Sequence, residues 1–258
     1  MAHGFSAPYS ATGRSAIVPA PPWHYAGWIL SIEYELEASA AADFLPSGFG
    51  QPTGAAAVHF ADWQSTSDGS ELLDPIYAQY REAFVVVEAE RDGALVNFCP
   101  FIYVDQDISL MRGWLQGLPK KSGSVWLTRS LPLDHPAAAP LVAGTRLGGS
   151  LAVKDRRLAE AALTLTGRSA PRLGLLKQPT YGLLGLPTLL GEAATPADPR
   201  LVRFTADPVV HGAYHDAEAT LAFFASPRDE LADLAPRRVT AASAGYVGLT
   251  ISRVTDPT

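Results

Sequence analysis

The chain has 258 residues, 47% of them hydrophobic and 18% charged, which is enough apolar side chain for one full core. Its 26 acidic against 20 basic residues give a net charge of −6, and this excludes a protein that holds nucleic acid or an anionic membrane by bulk positive charge. The single cysteine, Cys99, excludes an internal disulfide and any metal site built from several cysteines, and it suits a reducing compartment.

Residues 1–22, rich in Pro, Ala and Ser, read as an extended arm. They lack the basic start and apolar stretch of a secretory leader, and no apolar run in the chain reaches bilayer-spanning length. A soluble, cytoplasmic protein is therefore expected. From Trp28 to Leu36, apolar residues alternate with Ser31, Glu33 and Glu35, a period of two that predicts a strand with one wet face. Ala38 to Leu45 reads as a short helix ended by Pro46, Gly48 to Gly54 as a loop, and Ala56 to Trp63 as a second strand. The β-rich runs at 84–87 and 95–98 flank Arg91-Asp92-Gly93, a strong hairpin signal because Asp-Gly tolerates positive φ. Asn97-Phe98-Cys99-Pro100-Phe101 places the cysteine in a buried strand as a small apolar residue.

Asp107 is placed to cap a helix whose Ile108, Met111, Trp114, Leu115 and Leu118 follow helical spacing until Gly117 and Pro119 stop it. Further strands are predicted at 124–131, 146–153, 158–167, 200–206, 220–226 and 245–254, with a polar turn at Lys154-Asp155-Arg156-Arg157 and exposed loops at 134–142 and 194–199. Many short strands with a few helices predict a mainly β, barrel-like domain over 23–258.

Several familiar signatures fail. Gly117-Leu118-Pro119-Lys120-Lys121-Ser122 lacks the glycine that precedes Lys-Ser in a phosphate loop, and Gly48 to Gly54 has the wrong spacing for a dinucleotide turn. No Gly-x-Ser-x-Gly elbow occurs. His211 and His215 lie four apart, but Pro208 and Gly212 oppose the helix that would align them as metal ligands, so both read as ordinary surface or packing residues. No metal and no cofactor are implied.

The lysines carry more information. Against 16 arginines there are only four lysines, Lys120, Lys121, Lys154 and Lys177, and two of them are adjacent. Neighbouring ammonium groups disfavour each other's protonation, and an apolar setting adds a desolvation penalty. A free amine produced that way can attack a ketone, whereas arginine cannot supply one at neutral pH. The competing reading of Lys120-Lys121 is a solvated surface pair.

Pro119-Lys120-Lys121-Ser122-Gly123, with Tyr80-Arg81-Glu82 about forty residues upstream, resembles the Pro-Lys-Lys-x-Gly box and the acidic segment of the acetoacetate decarboxylase-like superfamily. Acetoacetate decarboxylase is itself the known case of an amine activated by a cationic neighbour. The resemblance implies a closed antiparallel β-barrel or cone with a few short helices, and a homo-oligomer. It makes Lys120 the Schiff-base lysine, Lys121 its electrostatic neighbour and Glu82 the proton-handling acid. The Arg and Glu that true decarboxylases carry on the first two long strands fall at Gly27 and Ala61, and their Arg-Glu pair before the box becomes Arg112-Gly113-Trp114. Tyr80, two before the glutamate, and Gln116, four before the lysine, instead resemble the pyruvate aldolase-dehydratase branch, with Tyr246 as a third partner.

The resemblance thus implies a Schiff-base lyase that condenses pyruvate or a related 2-oxo acid with an aldehyde and dehydrates the aldol. In this reading Gln116 and Tyr246 position the carboxylate and the departing oxygen. One alternative keeps the imine but uses it to decarboxylate a β-keto acid. The other is a non-catalytic small-molecule binding domain on the same scaffold.

Overall fold

A computed structural model describes residues 2–190 and 198–256. Thirteen strands join in one sheet. In chain order they are β1 (Trp23–Glu35), β2 (Pro52–Thr66), β3 (Gln79–Arg91), β4 (Ala94–Val104), β5 (Lys120–Ser122), β6 (Ser124–Leu127), β7 (Arg146–Val153), β8 (Arg156–Ser169), β9 (Thr180–Leu184), β10 (Arg200–Phe204), β11 (Val209–Phe223), β12 (Arg238–Ile251) and β13 (Val254–Thr255). The described α-helices are short: α1 (Ala38–Ala42), α2 (Pro75–Ala78) and α3 (Asp107–Leu115).

The strands follow the order β13-β10-β9-β4-β3-β2-β1-β12-β11-β8-β7-β6, with β5 added beside β4. Most neighbours are antiparallel, but β4 pairs in parallel with both β5 and β9. The sheet curls into the expected cone, bringing β6 back against β2, β3 and β4, although its hydrogen-bond ladder stays open at both ends. Inside the curl, Leu30, Ile32, Val58, Phe60, Val85 and Leu163 form the main core. Packing there is tight: a Cβ on Gly149 would lie 2.7 Å from the Phe60 ring.

The hairpin signal at 91–93 is realised, with Asp92 and Gly93 at φ 51° and 75° closing β3 onto β4. Cys99 is buried in β4. Other expectations are corrected. Helix α1 stops at Ala42, β6 stops at Leu127, and β11 begins at Val209 rather than near residue 220. In α3 the capping position belongs to Gln106; Asp107 lies one residue inside and accepts the Ile108 N–H. His211 and His215 sit on strand β11, so the four-residue spacing does not give one helical face. The loop at 134–142 contains a single 3-10 turn, and residues 194–197 of the other expected loop lie outside the described residues. Along the arm, Val18 is buried against Trp23, Ile108 and Ile251. No described helix is long and apolar enough to cross a membrane.

The largest correction concerns β1. Part of its expected wet face is buried: Ser31 is 0% and Glu33 8% exposed, while Glu35 stays exposed. The segment 170–179 crosses this face, where Arg172 pairs with Glu33, Leu175 O accepts from Asn97 Nδ2 at 2.7 Å, and Gln178 Nε2 donates to Glu88. Polar residues alternate along β1 as they would towards water, but Glu33 binds the covering loop and Ser31 binds His59 beneath it.

Under that loop His59 is fully buried, stacked on Phe84 with ring centroids 4.5 Å apart. Its Nδ1 lies 2.7 Å from Ser31 Oγ. Burial pushes its pKa from 6.5 down to about 3, because the cation would lose its hydration. The unfolded chain therefore gains a proton near pH 6.5 while the folded one does not, so this contribution is complete above 6.5 and is lost as pH falls toward 3. With about 1.4 kcal/mol per pH unit, going from about pH 7.5 to about pH 5 should cost the wild type about 2 kcal/mol more than His59→Gln, measured by denaturant unfolding at both values.

Candidate active site

Strand β3 supplies one wall through simple alternation. Tyr80, Glu82, Phe84 and Val86 point to the same side and line a cavity of about 570 Å³. Arg81, between them, faces the opposite side and stacks on Trp126. Helix α3 supplies a second wall, since Ser109 and Gly113 lie four apart on one helical face and Gln116 follows at its C-cap. Gly117, at φ 77°, ends the helix, and Leu118 N–H closes the last turn on Gly113 O at 2.8 Å. The chain then enters β5 beside Ile102, with Trp114 Nε1 donating to Lys120 O at 3.0 Å.

These elements bring Lys120 and Glu82 together. Lys120 Nζ lies 2.6 Å from Glu82 Oε2, and both side chains are buried. The ammonium also donates to Ser109 Oγ at 2.9 Å and lies 5.5 Å from the centre of the Tyr80 ring. Trp63 Nε1 donates to the second oxygen of Glu82 at 3.2 Å. The stem of Lys120 runs across Gly113, where a Cβ would come within 2.3 Å of its Cγ. Only glycine leaves room for this lysine.

The nearby tyrosines stay phenolic at neutral pH. Burial, then the Glu82 charge, pushes Tyr80 well above its ordinary value. Tyr25 is raised by burial against the opposing pull of Arg112. Arg112 is 1% exposed; its Nη1 donates to Ser65 Oγ at 2.8 Å and its guanidinium faces the Trp23 and Tyr25 rings. Its Nε and the Gln116 Nε2 are buried donors without a hydrogen-bond partner among the described residues. Cys99 also lines the cavity, but burial followed by the Glu82 charge pushes its thiol up to about 12. It is a neutral wall residue.

Of the six expected site residues, Tyr80, Glu82, Gln116 and Lys120 line the one cavity. Lys121 does not join them. As the next residue on a strand it points to the other face, where Nζ pairs with Asp229 at 2.6 Å beside the Phe101 and Tyr103 rings. Its expected role as repelling neighbour therefore loses its geometric basis. Tyr246 is also elsewhere: its ring lies against Trp28 and its hydroxyl donates to Ser130 O at 2.9 Å. The next residue, Val247, takes the cavity side. Trp63, Tyr25, Ser109 and Arg112 were not singled out as site residues. Ser109 was recoverable from its helical offset to Gly113 and Gln116, whereas Trp63 reaches Glu82 only through a cross-strand register. Gly27 is occupied space too, since its Cβ would lie 2.4 Å from the Trp63 ring, and Ala61 stands opposite Glu82.

A buried amine against a carboxylate, with phenols and amide donors around it, is equipped for carbonyl addition and proton transfer. The model of the acetoacetate decarboxylase (ADC) family matches residues 6–256. The enduracididine biosynthesis enzyme MppR, solved with the condensation product of pyruvate and imidazole 4-carboxaldehyde, superposes with a TM-score of 0.91 at 34% identity, covering 98% of this chain and 96% of that one. An acetoacetate decarboxylase-like enzyme from Sphingomonas wittichii RW1 gives a TM-score of 0.88 at 25% identity, over 99% and 100% of the two chains. Acetoacetate decarboxylase from Legionella pneumophila subsp. pneumophila str. Philadelphia 1, at 17% identity and TM-score 0.76 over 93% and 88%, shares the fold. No functionally curated protein matches the sequence significantly. By the family match over nearly its whole length, and by its likeness to these solved structures, the chain belongs to the acetoacetate decarboxylase family and is an enzyme of that type.

Proposed function

We propose that this enzyme is a Schiff-base lyase that joins pyruvate, or a related 2-oxo acid, to an aldehyde and dehydrates the product. The observation that carries the reading is the buried Lys120–Glu82 pair at the inner end of a largely apolar cavity. The likeness to MppR, whose structures include one with pyruvate and one with a pyruvate–aldehyde condensation product, supports it.

Glu82 stands where it can take the proton that Lys120 must lose before its nitrogen adds to the keto carbon. Glu82 returns that proton to the former keto oxygen, which leaves as water and gives the iminium, so Glu82 is again a carboxylate. The electron-poor iminium acidifies the methyl group, and removal of one methyl proton by Glu82 gives an enamine. Its carbon attacks the aldehyde carbon, forming the new C–C bond, while the aldehyde oxygen takes a proton from a neighbouring phenol, the role we assign to Tyr80, and protonated Glu82 restores that phenol. Glu82 then removes a second proton from the former methyl carbon and passes it to that hydroxyl, which leaves as water. Hydrolysis of the imine releases an unsaturated 2-oxo acid and returns the amine, so the overall change is pyruvate plus aldehyde to enone acid plus one water.

The unpartnered Gln116 amide, with the Arg112 charge behind it, suits the carboxylate of the 2-oxo acid, since buried donors without acceptors are costly unless a ligand supplies them. Tyr246 is not needed for the departing oxygen in this arrangement. Decarboxylation would lack the Arg and Glu whose places are Gly27 and Ala61, the first of them closed by Trp63.

Borohydride reduction with pyruvate, followed by peptide mass mapping, should place one adduct on Lys120. The adduct should vanish in Lys120→Ala and persist in Lys121→Met. With an aromatic aldehyde added, a conjugated chromophore should appear; carbon dioxide and a ketone from acetoacetate, with no chromophore, would reject the reading. Gly113→Ala tests the geometry: displacing the lysine stem from its attack position should lower both adduct formation and turnover by about tenfold or more, with the circular dichroism spectrum retained.

A further inference from the structure

The cavity is much larger than a 2-oxo acid requires. At about 30 Å³ per water it has room for on the order of twenty waters, while pyruvate has six heavy atoms. Its inner end is polar and buried, with Tyr80, Glu82, Gln116 and Lys120 between 4% and 6% exposed. Much of the remaining wall is apolar, with residues such as Leu118, Leu173, Phe204 and Val247. Its outer end is different again: Lys177, Arg203 and His211 line it and all three are exposed.

The charges are distributed unevenly. The single carboxylate among the lining residues is Glu82, already engaged by Lys120. Neither Lys177 nor Arg203 forms an ion pair among the described residues. Lys177 Nζ makes a single long contact, to Pro171 O at 3.3 Å, and the His211 ring is held by the Tyr214 hydroxyl. Two of the four lysines in the chain thus line one cavity, Lys120 buried and Lys177 exposed. An ammonium and a guanidinium at the mouth of a low-dielectric pocket attract and orient an anion.

From this layout we infer that the aldehyde acceptor has an apolar body and carries an anionic group at the end remote from the aldehyde, held at the mouth by Lys177 and Arg203. The inference rests on the imine reading above. The aldehyde carbon then meets the enamine at the inner end, the body fills the apolar middle, and the anion remains at the solvent side, where its desolvation cost is small. A carboxylate or a phosphate satisfies the same cations.

The test pairs pyruvate with 4-formylbenzoate or with its neutral amide, 4-formylbenzamide, and reads kcat/KM from the enone absorbance at low salt. Wild type should prefer the carboxylate by about tenfold, a preference that falls with added salt. Lys177→Met and Arg203→Met should each shrink the preference, and Lys177→Glu should reverse it. Lys154→Met, in the β7–β8 turn, should keep it. Equal or better use of the amide by wild type overturns the inference, as does a preference that survives both mouth substitutions. Borohydride trapping of pyruvate is run in parallel. If Lys120 is labelled but neither aldehyde reacts, the acceptor inference fails while the imine assignment stands. If Lys120 is not labelled, the imine assignment fails and the inference falls with it.

Discussion

Everything at the site depends on keeping one ammonium and one carboxylate out of water at 2.6 Å from each other. Such a pair contributes little net stability, because attraction in the interior is largely offset by the loss of hydration, but removing one partner strands a buried charge at a cost of about 3–5 kcal/mol. The surrounding structure satisfies the remaining valences. Ser109 accepts from the ammonium and Trp63 donates to the carboxylate. Burial of both side chains strengthens the field that each exerts on the other. The pair is best understood as stored reactivity held in place by its neighbours.

The sheet makes this possible by being buried on both faces at its centre. One face of β1 to β4 closes the main core; the other meets α3 and segment 170–179. That second layer forms the roof of the cavity, with Leu173 and Leu176 directed inward and Arg172, Leu175 O and Gln178 fastened to Glu33, Asn97 and Glu88. Glu33, which alternates as if for solvent on β1, is thus an anchor for the lid over the site, together with Glu88 on β3 and Asn97 on β4.

Much of the fold was legible because its signals are local. Asp92-Gly93 needs positive φ and gives the hairpin; the apolar spacing from Ile108 to Leu115 gives the helix; the Pro-Lys-Lys box and Glu82 are recognisable as motifs. The parts that failed are non-local. The wet face of β1 was misread because a loop 140 residues later covers it, as the Arg172–Glu33 pair shows with a separation of 139 residues. Tyr246 was assigned to the right strand and the wrong face, an error of one residue in a pattern whose period is two. Trp63 was missed because neither propensity nor spacing tells which residue of β2 reaches Glu82 diagonally across the strand pair.

The same period of two governs the paired lysines. On β5 the neighbours Lys120 and Lys121 have separate fates: one enters the cavity and the other neutralises Asp229 on the far side. The two side chains are chemically identical, so which amine faces the cavity is decided by register alone. A slip of one position along β4 would exchange them. The glycine turn at 117, Pro119 and the Trp114 hydrogen bond to Lys120 O fix that phase. A helix stop therefore selects which of two equivalent amines faces the cavity, and an insertion or deletion of one residue between Gly117 and Lys120 would exchange them without altering either lysine.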